Sequence, residues 1–209
     1  MAALPKLEVY FDDAGWLQAK PGAVLEVIHQ PLPEAYTQAS IRPYSVILHT
    51  NSGPHWTRWQ ALVAYMKRTD ITIEAHFQVP KLVEEGRPSI VQLMPVTRRA
   101  DCNAKANQWW SNGESRGAVS FETADDGSAS PSLGPWDLGQ LHALAQTCAA
   151  LSKKYNVPAT IPGTWDGRGI GWHALHKEWS IYTGKTCPGP QKIQQVPWLI
   201  HEVGRLACL

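Results

Sequence analysis

Nowhere in these 209 residues is there an uninterrupted apolar run of the roughly 20 residues that a helix needs to cross a bilayer. Strong charge of either sign is also missing. Nineteen Lys and Arg stand against 18 Asp and Glu, for a net charge of +1, and no basic block or arginine stripe occurs. That leaves no electrostatic case for a nucleic acid or a membrane surface as partner. Cysteines are few: Cys102, Cys148, Cys187 and Cys208 have spacings unlike a dense disulfide framework. The first six residues lack the basic segment and apolar core of a signal peptide, so the expectation is a chain made in the cytoplasm, with any export by another route. Disorder is excluded as well, since 44% of the residues are hydrophobic and only 18% are charged. One domain, with or without an N-terminal extension, fits the length.

What the chain does have is tryptophan, ten in all. Trp56, Trp59, Trp109, Trp110, Trp165 and Trp172 suit core and rim packing, or a groove in which indole faces meet sugar rings. Residues 1–44 read as an extension that packs on the main domain, with one strand at 24–28 and prolines at 31, 33 and 43. The main domain covers 45–209. It opens on a short buried strand, Ser45-Val46-Ile47-Leu48-His49, closed by turn residues at 50–54. Trp59, Leu62, Val63 and Met66 mark one helical face between residues 56 and 68. Residues 71–79 alternate as a half-buried strand with Glu74 and His76 on its polar side, and 89–95 pair with it as a hairpin. Residues 98–117, with Trp109-Trp110, read as loop and short helix along a cleft. A strand at 118–122 follows, then a helix at 135–155 with Leu138, Leu141, Ala145, Cys148 and Leu151 inward, and a last helix from near Pro197. Strands interleaved with helices predict an α/β fold, a mixed central sheet flanked by helices.

Chemistry concentrates near the end of the chain. His173 and Cys187 are separated by a short loop, and Lys185 lies two residues before the thiol. Imidazole and thiolate are both good zinc ligands, and a catalytic zinc takes three protein ligands and keeps one position open. His49, at the end of its strand, is the best third donor. His176 is the local rival to His173. The residues alone therefore suggest a mononuclear zinc hydrolase.

Four segments, in order, carry a resemblance: Val46-Ile47-Leu48-His49-Thr50; Glu74-Ala75-His76-Phe77; Ala118-Val119-Ser120-Phe121-Glu122; and Gly171-Trp172-His173 followed by Gly184-Lys185-Thr186-Cys187-Pro188-Gly189. Together they resemble the type-2 N-acetylmuramoyl-L-alanine amidases, whose fold is shared with peptidoglycan recognition proteins and certain phage amidases. The resemblance implies one zinc ion bound by His49, His173 and Cys187. It implies that Lys185 stabilises the oxyanion and that Glu122 positions or deprotonates the attacking water. Some relatives carry a tyrosine directly before the strand histidine; here that position is Ala75, which puts more of the burden on Glu122, with Glu74 as a weaker alternative. His76 is implied as a cleft or structural histidine; beside that implication, His76, Trp109, Trp110 and Asn51 are expected as weaker substrate contacts. The implied activity is hydrolysis of the amide between N-acetylmuramic acid and L-alanine in peptidoglycan. That fits cell-wall lysis by a monomeric phage endolysin that acts on the wall with neither nucleic acid nor membrane as partner. The alternatives are a non-catalytic peptidoglycan-binding module, in which the cysteine ligand is typically missing, and a zinc hydrolase of another amide.

Overall fold

A computed structural model describes residues 6–33, 39–51, 58–68, 74–125, 134–182, 184 and 186–208. The chain begins with a hairpin, β1 (Val9–Phe11) and β2 (Leu17–Ala19). Asp12 accepts from the Trp16 amide at 2.9 Å, and Gly15 supplies the positive φ that the turn requires. Next come β3 (Glu26–His29) and β4 (Arg42–Thr50), then α1 (Trp59–Met66), β5 (Phe77–Val79), α2 (Leu82–Glu85) and β6 (Ser89–Gln92). After a 3-10 turn at Ala104–Asn107, β7 (Trp109–Ser111) and β8 (Glu114–Thr123) form a second hairpin. The rest is α3 (Leu138–Tyr155), β9 (Gly169–Trp172), a 3-10 turn at Lys177–Trp179, α4 (Pro190–Ile193) and α5 (Val196–Ala207).

The described residues build a seven-stranded mixed sheet in the order β3-β6-β5-β8-β4-β9, with β7 beside the first half of β8. Strands β5, β8, β4 and β9 run parallel. Strand β4 lies in the middle and is buried on both faces, as its continuous apolar run implies. The pleat sends alternate residues to opposite faces. Val46 and Leu48 of β4, Val119 and Phe121 of β8, and Ile170 of β9 join the main core with α3 and α5. Ile47 and Ala118 point the other way, into a smaller cluster around Trp179 and Ala106. The same phase carries His49 and Glu122 to that second face, at the carboxyl ends of their strands.

Helix α3 is anchored at both ends. Asp137 and Gln140 form a reciprocal capping box, and Asn156 closes the helix with a left-handed residue at φ 58°. Its buried Gln140 also donates to the carbonyls of Val79 and Ala124 at the ends of β5 and β8. Leu138, expected to face inward, is 63% exposed because the capped first turn aims it at solvent. The expected strand at 71–79 is shorter and not half-buried. Residues 71–73 lie outside the described set, as does the expected helix start at Trp56, and every residue from Glu74 to Val79 is buried. On the side that alternation assigns to water, His76 meets the Arg98 carbonyl and the Ser120 amide, and Gln78 meets Asn51 and Met66.

The boundary expected at 44/45 falls inside β4. Upstream of it, β3 is hydrogen-bonded to β6 as an edge of the sheet, and Val9, Phe11, Leu17 and Leu25 lie in the main core. Buried Glu8 accepts from the amides of Val24 and Leu25 and meets His142 of α3 at 3.2 Å, while Gln146 brackets the Glu8 amide and the Lys6 carbonyl. Phe11 packs edge-on against Phe77 and Tyr155. We predict that Phe11→Ala lowers unfolding stability by about 3–5 kcal/mol in urea titration, the cost of truncating a core ring. A loss below about 1 kcal/mol would mean that the N-terminal hairpin is only laid on the surface.

Candidate metal centre

Three strand ends converge. Strand β4 runs in register with β8 on one side, pairing His49 with Glu122, and with β9 on the other. The His173 amide donates to the Leu48 carbonyl at 3.1 Å, which extends the β4–β9 ladder to the residue that follows β9. Two glycines make β9 possible. A side chain at Gly171 would meet the buried Trp179 ring at 2.7 Å, and one at Gly169 would meet the Thr160 carbonyl. The cysteine loop is tied on by the Ala174 amide, which donates to the Cys187 carbonyl at 3.0 Å.

As a result, one ligand atom from each of His49, His173 and Cys187 lies within 4.8 Å of the others. The two imidazole centroids are 4.4 Å apart. Tetrahedral zinc with two nitrogens and a sulfur needs donor separations of about 3.3–3.6 Å, so modest side-chain rotation brings this set onto one ion. The donor types fit zinc. His176, the rival, instead sets Nε2 against the Pro162 carbonyl at 3.1 Å and packs on Trp179.

The tautomer of His49 is held from behind. Asn103, fully buried, donates its amide to Ser120 Oγ, so its oxygen accepts from His49 Nε2 at 2.7 Å. That leaves the Nδ1 lone pair facing the cavity, where Glu122 Oε1 lies 3.8 Å away. The Thr50 amide donates to Cys187 Sγ at 3.3 Å, which favours the thiolate. All of this borders an open cavity of about 360 Å³, whose other walls include Asp101, Cys102, Asn107, Trp179 and Tyr182. Burial, and then the Glu122 carboxylate, push the Cys102 thiol well above its ordinary pKa, so it stays protonated there.

Several expected contacts lie elsewhere. His76 is fully buried, accepting from the Ser120 amide at 3.0 Å on Nδ1 and donating to the Arg98 carbonyl at 2.8 Å from Nε2. It supports β8 and does not face the cleft. Asn51 is 7% exposed, donates to Gln78 at 3.1 Å and does not line the cavity. Trp109 and Trp110 sit on β7 beside Arg116 and Ser115, about 20 Å down the strand from Glu122 at ~3.3 Å per residue. Trp109 packs there on Tyr44 and Trp165. Glu74 is buried and away from the cavity, and Ala75 packs against α1 with Leu62, Val63 and Met66. Lys185 lies outside the described residues. The sequence reading missed Asn103, for which a polar residue in an otherwise unremarkable loop gives no signal.

Burial lowers the His76 pKa from 6.5 to about 4. Between those values the unfolded chain holds a proton that the folded protein does not, so acidification destabilises; above pH 6.5 the effect is absent. Glu84 acts oppositely, since burial and then neighbouring Glu85 raise its carboxyl to about 7, so that stability is lost as pH rises from 4.5. The difference between wild type and His76→Gln isolates the first effect. We predict that this stability difference, from urea unfolding, shrinks by roughly 3 kcal/mol between pH 7 and pH 4. A pH-independent difference would refute a buried neutral imidazole.

The family model for N-acetylmuramoyl-L-alanine amidase matches residues 38–190. Solved structures similar to the chain include PlyL, at 17% identity and TM-score 0.54, covering 85% of this chain and 96% of that one. A selenomethionine derivative of AmpD follows at 18% and 0.55, covering 90% and 97%. The endolysin amidase LysCS from Clostridium intestinale stands at 12% and 0.54, covering 84% and 95%. No curated protein sequence matches the chain.

Proposed function

The chain belongs to the N-acetylmuramoyl-L-alanine amidase family, and from that membership we propose a zinc-dependent endolysin that cuts the bond between N-acetylmuramic acid and L-alanine in the bacterial wall. The observation that carries the zinc reading is the convergence of His49, His173 and Cys187 beside Glu122. Cys187 also weighs against a binding module without catalysis. The likeness in fold to an endolysin amidase supports action on the wall.

Zinc held by these three side chains would polarise the scissile carbonyl and acidify water. The protein's own groups do the rest. Glu122 takes the proton from the attacking water and passes it to the departing alanine nitrogen as the C–N bond breaks. Asn103 keeps His49 in the tautomer that presents Nδ1, and the Thr50 amide orients the Cys187 sulfur. Lys185, two residues before Cys187 in sequence, would bring an ammonium to the developing oxyanion.

We predict that Cys187→Ala loses bound zinc in elemental analysis and releases no stem peptide from purified peptidoglycan. Glu122→Gln should keep its zinc while kcat falls about 10²–10⁴-fold. Asn103→Leu should weaken zinc binding about 10–100-fold. Full zinc and activity in Cys187→Ala would overturn the ligand assignment. A zinc-loaded wild type inactive on every peptidoglycan tested would overturn the substrate.

A further inference from the structure

Just behind the cysteine ligand, the structure buries two opposite charges that the proposed chemistry does not use. Lys192, on α4, is 1% exposed, and Asp125, three residues beyond Glu122, is 3% exposed; Nζ and Oδ2 are 3.6 Å apart. Burying such a pair is costly, and an apolar pair of similar volume is often no less stable. The geometry the pair imposes is therefore the feature to explain.

That geometry leads to the metal ligands. The Thr50 hydroxyl shares its one hydrogen between Asp125 Oδ2 at 3.4 Å and the Thr123 carbonyl at 3.2 Å. Thr50 directly follows His49, and its amide donates to Cys187 Sγ. Lys192 follows the cysteine loop by one short turn, since Pro190 opens α4 directly after Gly189. The ion pair thus ties the segment carrying Cys187 to the end of the strand carrying Glu122, and Thr50 is held between them.

We propose that Asp125 and Lys192 are positioning residues that clamp Thr50, so that its amide stays on the Cys187 sulfur and fixes the direction of that ligand. The proposal rests on the zinc reading above. A merely structural ion pair would affect stability alone; a clamp also alters the metal–sulfur bond.

The test uses cobalt(II) in place of zinc, because its sulfur-to-metal charge-transfer absorption reports the thiolate bond. Three proteins are compared: wild type, Thr50→Val, and the double variant Asp125→Asn/Lys192→Met, which leaves no lone buried charge. Thr50→Val keeps the amide and removes only the hydroxyl tether, so it carries the test if the double variant does not fold. Phe11→Leu, far from the site, controls for general destabilisation. The expected result is a shifted or weakened charge-transfer band and a zinc Kd raised about 10–100-fold in the clamp variants, but not in the control. A wild-type band and wild-type zinc Kd in the clamp variants, with loss confined to thermal stability, would overturn the clamp. A wild type that binds neither metal would instead sink the zinc reading itself.

Discussion

The alternation of side chains along three adjacent parallel strands is the constraint on which the molecule depends. In β8, β4 and β9 the residues at one phase are Val, Leu, Phe and Ile, and they meet α3 and α5. The other phase carries Ile47 and Ala118 into the Trp179 cluster and ends at His49 and Glu122. Core and site are thus two faces of one pattern. A slip of one residue in β4 would put His49 into the apolar layer and Leu48 into the cavity, so burying the core holds His49 in place.

Behind His49 runs a second layer of polar contacts that is almost wholly buried. The Arg98 carbonyl is bound to His76, His76 to the Ser120 amide, the Ser120 hydroxyl to Asn103, and Asn103 to His49. A neutral His76 can serve as acceptor on one nitrogen and donor on the other, which a charged imidazole could not. The burial that depresses its pKa therefore also suits it to this link.

Local patterns in the sequence made the central elements legible. The apolar run before His49, the spacing in α3 and the histidine–cysteine pair near the end each carry their own signal, and in the fold His49, His173 and Cys187 lie side by side. The errors have physical causes. Asn112-Gly113 is a strong hairpin turn, yet the tryptophans before it drew attention to a cleft; β7 instead lies at the far end of the sheet. Strand β9 is rich in glycine, which local propensity counts against a strand, but there the glycines make room for Trp179 and a crossing backbone. Asn51 lies two residues beyond His49 in sequence and His76 directly before the strand beside Glu122, yet packing closes both off from the cavity. Asn103, Asp125 and Lys192 acquire meaning only through partners far along the chain, and no single sequence displays such pairings.

The N-terminal segment has a consequence for anyone who would recombine this protein. The matched family region starts at residue 38, which tempts one to cut there. In this chain such a junction would remove the edge strand β3, the ring of Phe11 and the carboxylate of Glu8 from the layer that supports α3. The remainder would be left with an unpaired sheet edge and a hole beneath its longest helix. The exchangeable unit is the shared core, so a graft that is to keep the site intact must carry the opening hairpin with it.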